Sequence, residues 1–84
     1  MKMFSRPIPT VPTSVPDIIG ASAGQVSAVG LQAPESNSNT IFFGNKSEQP
    51  FELRPSANAL LPVNSAKDLF LHGSSGDRIS IGLF

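Results

Sequence analysis

His72, the chain's single histidine, lies close to Asp68, Ser74, Ser75 and Asp77, the residue types of a hydrolytic relay. Such a relay needs a hydroxyl nucleophile, an imidazole base, a carboxylate that orients the base, and an oxyanion site, all on a rigid scaffold. Here the histidine ends a strand-like run and is followed by Gly73-Ser74-Ser75-Gly76-Asp77. A solvent-side histidine beside a polar turn is the stronger reading. The carboxylates Glu48, Glu52, Asp68 and Asp77 alternate with basic residues, as solvated strand-face charges do. The Gly-Ser loop lacks the following lysine and helix of a phosphate-binding P-loop. With no cysteine and one histidine, the chain offers no ligand set for a metal. No catalytic, metal-binding or cofactor-binding residue is expected, and the chain reads as a non-enzyme.

Binding motifs are equally sparse. Pro9-Thr10-Val11-Pro12 fits the minimal pattern of a polyproline ligand, but no flanking arginine is placed for such a groove, so a plain extended segment is the simpler reading. Asn45-Lys46-Ser47 matches a glycosylation acceptor and reads as a loop. A sugar- or cell-surface-binding module usually stacks its ligand on tryptophan or tyrosine, and the sequence has neither. Six lysines and arginines balance six aspartates and glutamates, and the cations are scattered singly. Nucleic acid is therefore not an expected partner. No stretch nears the roughly 20 apolar residues of a membrane span. Nor does the start, Met1 to Pro7, lead into the apolar run of an export signal. Absence of cysteine suits a reducing compartment.

The elements that would position any site fall into two parts. Prolines at 7, 9, 12 and 16 each fix φ, delete a donor and push the preceding residue toward extended conformations. Residues 1–38 are therefore expected to form an extended arm without a core. Its one break is a possible helical turn capped by Asp17 and cut short by Gly20 and Gly24. Gln25 to Leu31 alternates loosely, as an extended segment that could pair with an edge strand. Residues 39–84 read as a small antiparallel β-domain of about five to six short strands, a sandwich or barrel. The strands are expected at Thr40–Gly44, Phe51–Arg54, Ala59–Val63, Lys67–His72 and Arg78–Phe84, the third restricted to an edge or a strand end by Pro62. Asn64-Ser65-Ala66 leads toward the fourth strand, and the last two are expected to pair as a hairpin. Ile41, Phe43, Leu53, Leu61, Leu69, Leu71, Ile79, Ile81 and Leu83 would form a thin core, with Phe42, Phe70 and Phe84 on the other face, open to a neighbour. So small a domain, without disulfides or metal, is expected to gain stability by oligomerising or docking.

The stretches Asn39-Thr40-Ile41-Phe42-Phe43-Gly44-Asn45, Pro50-Phe51-Glu52-Leu53-Arg54-Pro55, Leu60-Leu61-Pro62-Val63 and Lys67 to Ile81 together resemble small β-domains of tailed-bacteriophage virion proteins. The shared pattern is a strand ending in glycine, an x-Leu-x-Pro turn, a Leu-x-Pro-Val strand, and Asp-Leu-aromatic-Leu-x-Gly-Ser-x-Gly-Asp before a last strand. It covers a little over half the chain. The chain departs from it with Ala57-Asn58 where the family often has glycine, and with Phe70 where it often has tyrosine. The resemblance carries over no catalytic residue. It implies a capsid decoration or cement protein on the virion surface, assembled in the host cytoplasm, with a head-to-tail adaptor or tail component as the alternative. Its partners would be the major capsid protein or other virion proteins and further copies of itself, a trimer favoured. The arm would clamp the shell through Phe4, Arg6, Ile8, Val11, Val15, Ile18 and Ile19.

Overall fold

A computed structural model of the chain describes residues 2–20, 26–62 and 66–84. Strands β1 (Lys2–Pro7), β2 (Thr13–Ser14), β3 (Val29–Gln32), β4 (Ile41–Gly44), β5 (Phe51–Leu53), β6 (Asn58–Leu61), β7 (Phe70–His72) and β8 (Arg78–Leu83) form two four-stranded antiparallel sheets. The first sheet runs β1-β8-β3-β6 and the second β2-β7-β4-β5. One short helix, α1 (Val15–Ile19), and a 3₁₀ turn over Ala66–Asp68 complete the described elements. The all-β class expected from the sequence is therefore present, with five described strands in residues 39–84 and three more, β1 to β3, in residues 2–32 where an extended arm was expected. The helix break expected at Gly24, the Asn64-Ser65 lead into the fourth strand and the end of a strand at Val63 lie outside the described residues.

Alternation decides which side chains go inside. In β8, Ile79, Ile81 and Leu83 point inward while Ser80 and Gly82 lie on the opposite face, the period of two of a half-buried strand. Val29 and Leu31 of β3 sit directly opposite Leu83 and Ile81. Ile41 and Phe43 of β4 face Leu53 of β5 and Leu71 of β7 in the same way. Inward rows from both sheets join one buried cluster, whose largest members include Leu31, Ile41, Leu53, Leu71, Ile79 and Ile81. Of the core expected from the sequence, every member is buried except Leu61, which packs against it half-buried.

The extended arm is corrected. Residues 2–7 pair with β8 from Lys2↔Leu83 to Pro7↔Arg78, and Thr13–Ser14 pairs with β7. Ile8, Val15 and Ile19 are buried in the same cluster as Ile81. At about 1.5–3 kcal/mol for each fully buried aliphatic side chain, these three contribute roughly 5–9 kcal/mol, comparable with the whole stability of a domain this size. A solvated arm would forgo that gain. Prolines do not prevent this packing, because each sits where a missing donor costs little. Pro7 ends an edge strand, and Pro16 occupies the first turn of α1, whose amides have no intrahelical partner in any case. The helix thus starts at Val15, two residues before Asp17, and closes on Gly20 in the left-handed conformation, whose N–H donates to the Pro16 carbonyl at 3.0 Å.

Two further expectations change. The last two strands are not a hairpin: β7 belongs to the second sheet and β8 to the first, so residues 73–77 carry the chain from one sheet to the other. The strand expected from Lys67 begins only at Phe70, because Ala66–Asp68 forms a 3₁₀ turn, whereas β3 does lie beside an edge strand, β6, with β8 on its other side.

Asp77 anchors that crossing and is no solvated strand-face charge. Its side chain is 5% exposed, and its two carboxylate oxygens accept the Ser38 and Asn39 N–H groups, each at 3.0 Å. Its own N–H donates to the Ser74 carbonyl at 3.2 Å, and its carbonyl accepts the Ile8 N–H at 3.0 Å. Beside it the Asn37 amide accepts from the Arg78 N–H and donates to the Arg78 carbonyl, both at 2.8 Å. β3 pairs with β8 as far as Gln32↔Ser80; two residues on, Pro34 has no N–H to give, and the Asn37 side chain supplies the missing rung.

Candidate interaction surface

The chemistry sought around His72 is not assembled. His72 faces outward on the second sheet, where its ring stacks on Phe42 with centroids 5.3 Å apart and planes 22° apart. Its Nδ1 is buried without a hydrogen-bond partner, while the Asp77 carboxylate is held by the 38–39 backbone. Among the described residues no group of three or more His, Cys, Asp or Glu could hold a metal ion. The Pro9-Thr10-Val11-Pro12 motif is docked on its own fold, the Pro9 carbonyl accepting the Gly73 N–H at 2.9 Å. The Asn45 side chain accepts the Ser47 and Glu48 N–H groups at 2.9 and 2.8 Å, closing the 45–48 segment into a turn.

The residues expected to make partner contacts scatter over the molecule. Ile8, Val15 and Ile19 lie in the core, and Phe4 and Ile18 pack against it half-buried. Arg6 lies over the Phe4 ring at 5.4 Å and donates to the Ile19 carbonyl at 3.4 Å. Val11 is exposed. Phe42 and Phe70 are half-buried on the outer face of the second sheet, and Phe84 lies on the first. The three phenylalanines therefore do not share one surface.

A different surface emerges from strand register. Met3 of β1 lies beside Gly82 of β8, which lies beside Gly30 of β3, which lies beside Leu60 of β6. These four form one row across the outer face of the first sheet. The next row toward the far end of β3 is Ser5, Ser80, Gln32 and Asn58. Met3 is 61% exposed, Leu60 67% and Phe84 49%. The paired glycines let the Phe84 ring lie down on the sheet: a Cβ on Gly30 or on Gly82 would each meet the ring at 3.1 Å. The ring is held there by its backbone, since Phe84 N–H donates to the Ala28 carbonyl at 3.0 Å and its carbonyl accepts the Ser27 N–H at 2.7 Å.

The result is a shallow trough of about 250 Å³ with an aromatic floor over two glycines and walls at Met3 and Leu60. Its two rows contain no charged side chain. Large exposed hydrophobics scattered singly need no explanation, but three gathered over one face make it the candidate interaction surface. Sequence alternation places Gly82 on the outer face of β8, yet only the register of β3 with β8 brings Gly30 beside it. Comparison with protein-family models, with curated proteins and with solved structures gives no match for this chain.

Proposed function

We propose that this chain is a non-catalytic structural protein of a tailed-bacteriophage virion, of the capsid decoration or cement type, built as a jelly roll. The observation that carries the reading is strand order: β1-β8-β3-β6 in one sheet and β2-β7-β4-β5 in the other. All connections but β4–β5 carry the chain to the other sheet, the winding of an eight-stranded jelly roll, whose hosts include viral capsid domains. Fold alone does not fix function. The resemblance of the strands and turns from Asn39 to Ile81 to virion β-domains points the same way. Residues 2–20 belong to the fold, so attachment to the shell runs through the domain's surface rather than through a clamping arm.

Quantitative mass spectrometry of purified particles tests the reading. A decoration protein is expected at a copy number comparable with that of the shell protein. About six to twelve copies would assign it to the symmetric neck or tail instead, and absence from particles would overturn the virion reading.

A further inference from the structure

We propose that the outer face of the first sheet is a twofold interface between two copies of this chain, the Leu60 side chain of each copy entering the trough of the other. The proposal does not depend on the virion reading. A twofold interface uses the same patch on both partners, so the patch must be self-complementary. This one carries both halves: a trough floored by Phe84 over Gly30 and Gly82, and a projecting wall, Leu60, the most exposed large hydrophobic residue described. Leu60 is on β6, at the sheet's edge, where it can reach across to a facing sheet.

Charge favours a second copy over a partner of either sign. The two rows that line the trough carry no charged side chain, Arg78 lying in the row beyond them and reaching Ser5, and the chain has a formal net charge of 0, so two copies approach with little repulsion. Area sets the strength. With side chains on the order of 200 Å², the exposed parts of Met3, Leu60 and Phe84 amount to roughly 350 Å² per copy. Two such patches with their polar rows reach about 1,000 Å² in total, the lower bound of specific interfaces. An interface at this lower bound makes a weak, reversible dimer, which dilution is expected to dissociate.

Sedimentation velocity of the full chain from about 2 to 500 µM tests this. The expected result is a monomer at the low end passing to a dimer at the high end. Leu60→Asp is expected to raise the dissociation constant at least about tenfold while leaving the far-ultraviolet circular dichroism unchanged. Val11→Asp, at an exposed apolar residue outside the trough, is expected to leave it as it is. Amide shifts on dilution of the wild type, expected at Gly30, Gly82 and Leu60, give a readout free of any folding defect. A wild type monomeric at 500 µM would overturn the proposal and leave the face to a different partner. A trimer, a dimer indifferent to Leu60→Asp, or dilution shifts centred on Phe42 and Phe70 would overturn it equally.

Discussion

Asp77→Ala removes an anchor without touching the apolar core. Both carboxylate oxygens accept backbone N–H groups at 3.0 Å, from Ser38 and from Asn39. A hydrogen bond to a charged group is worth about 1.5–3 kcal/mol. Ser38 and Asn39 are exposed residues, so water can reach their amides in the variant, and about 1 kcal/mol per bond is the appropriate discount. The expected loss is therefore about 2 kcal/mol. Asp77→Asn keeps one acceptor oxygen but turns an NH₂ group toward the second amide, so about half to two-thirds of that loss is expected. Urea denaturation measures both. The slope with denaturant should stay constant while the midpoint falls, since the surface exposed on unfolding is unchanged. Amide exchange of residues 37–39 should accelerate more than that of β4, because the loop loses its tether first. A loss below about 0.5 kcal/mol for Asp77→Ala, or an equal loss for alanine and asparagine, would refute the view that two directed acceptors hold this crossing.

Three other substitutions or deletions probe separate parts of the molecule. Ser56 follows Pro55 in a turn closed by the Ala57 N–H on the Arg54 carbonyl at 2.9 Å, and it holds φ at 73°; Ser56→Gly relieves that backbone and is expected to add about 0.5 kcal/mol in urea melts. His72→Phe keeps the stack on Phe42 and removes an unpartnered buried nitrogen, so thermal denaturation should show a gain of about 1 kcal/mol, a rise of about 4–8 °C in Tm. Deleting residues 1–16 takes away β1, β2, Ile8 and Val15 together and is expected to abolish the cooperative thermal transition. A truncated chain that melts like the intact one would restore the independent arm.

The C-terminal half of the fold was legible because its pattern is strict. Ile79, Ile81 and Leu83 alternate with Arg78, Ser80 and Gly82, and Leu69 and Leu71 repeat at the same period, so the buried face follows from the residues themselves. Ile8, Val15 and Ile19 show no such period. They are single aliphatic residues spaced among prolines, and what buries them is chain far away: the Val15 N–H donates to the Leu69 carbonyl at 3.0 Å, and the Pro9 carbonyl accepts from Gly73. The hairpin failed for a different reason. Two alternating strands joined by Gly73-Ser74-Ser75-Gly76-Asp77 suit a turn within one sheet and a crossing between two equally well, and long-range pairing decides. The trough needed register as well, because Gly30 and Gly82 are 52 positions apart in the chain (82 − 30) and adjacent in the sheet. Asp77 left one signal, the turn residues Ser74 to Asp77, but its partners are in the 38–39 loop.

The prolines give the sequence a second meaning. Pro7 and Pro9 close β1, Pro12 and Pro16 bracket β2, Pro50 and Pro55 bracket β5, and Pro62 follows β6. Those four strands are the edges of the two sheets, whereas β4, β7 and β8 have no proline beside them. The eighth, Pro34, stops the pairing of β3 and leaves Asn37 to complete it. A residue that cannot donate to a ladder is tolerated at an edge and excluded from a sheet interior, so proline spacing that reads as an unfolded arm in one dimension reports edge strands in three. The same prolines act against strand addition by another chain, and on β1 the cationic Lys2 and Arg6, which share the inward parity of Phe4, reinforce that protection. With the edges defended in this way, association is directed to a sheet face. The first sheet's face, with Met3, Leu60 and Phe84 uncovered about two uncharged rows, is the one whose side chains have the most to gain from a partner.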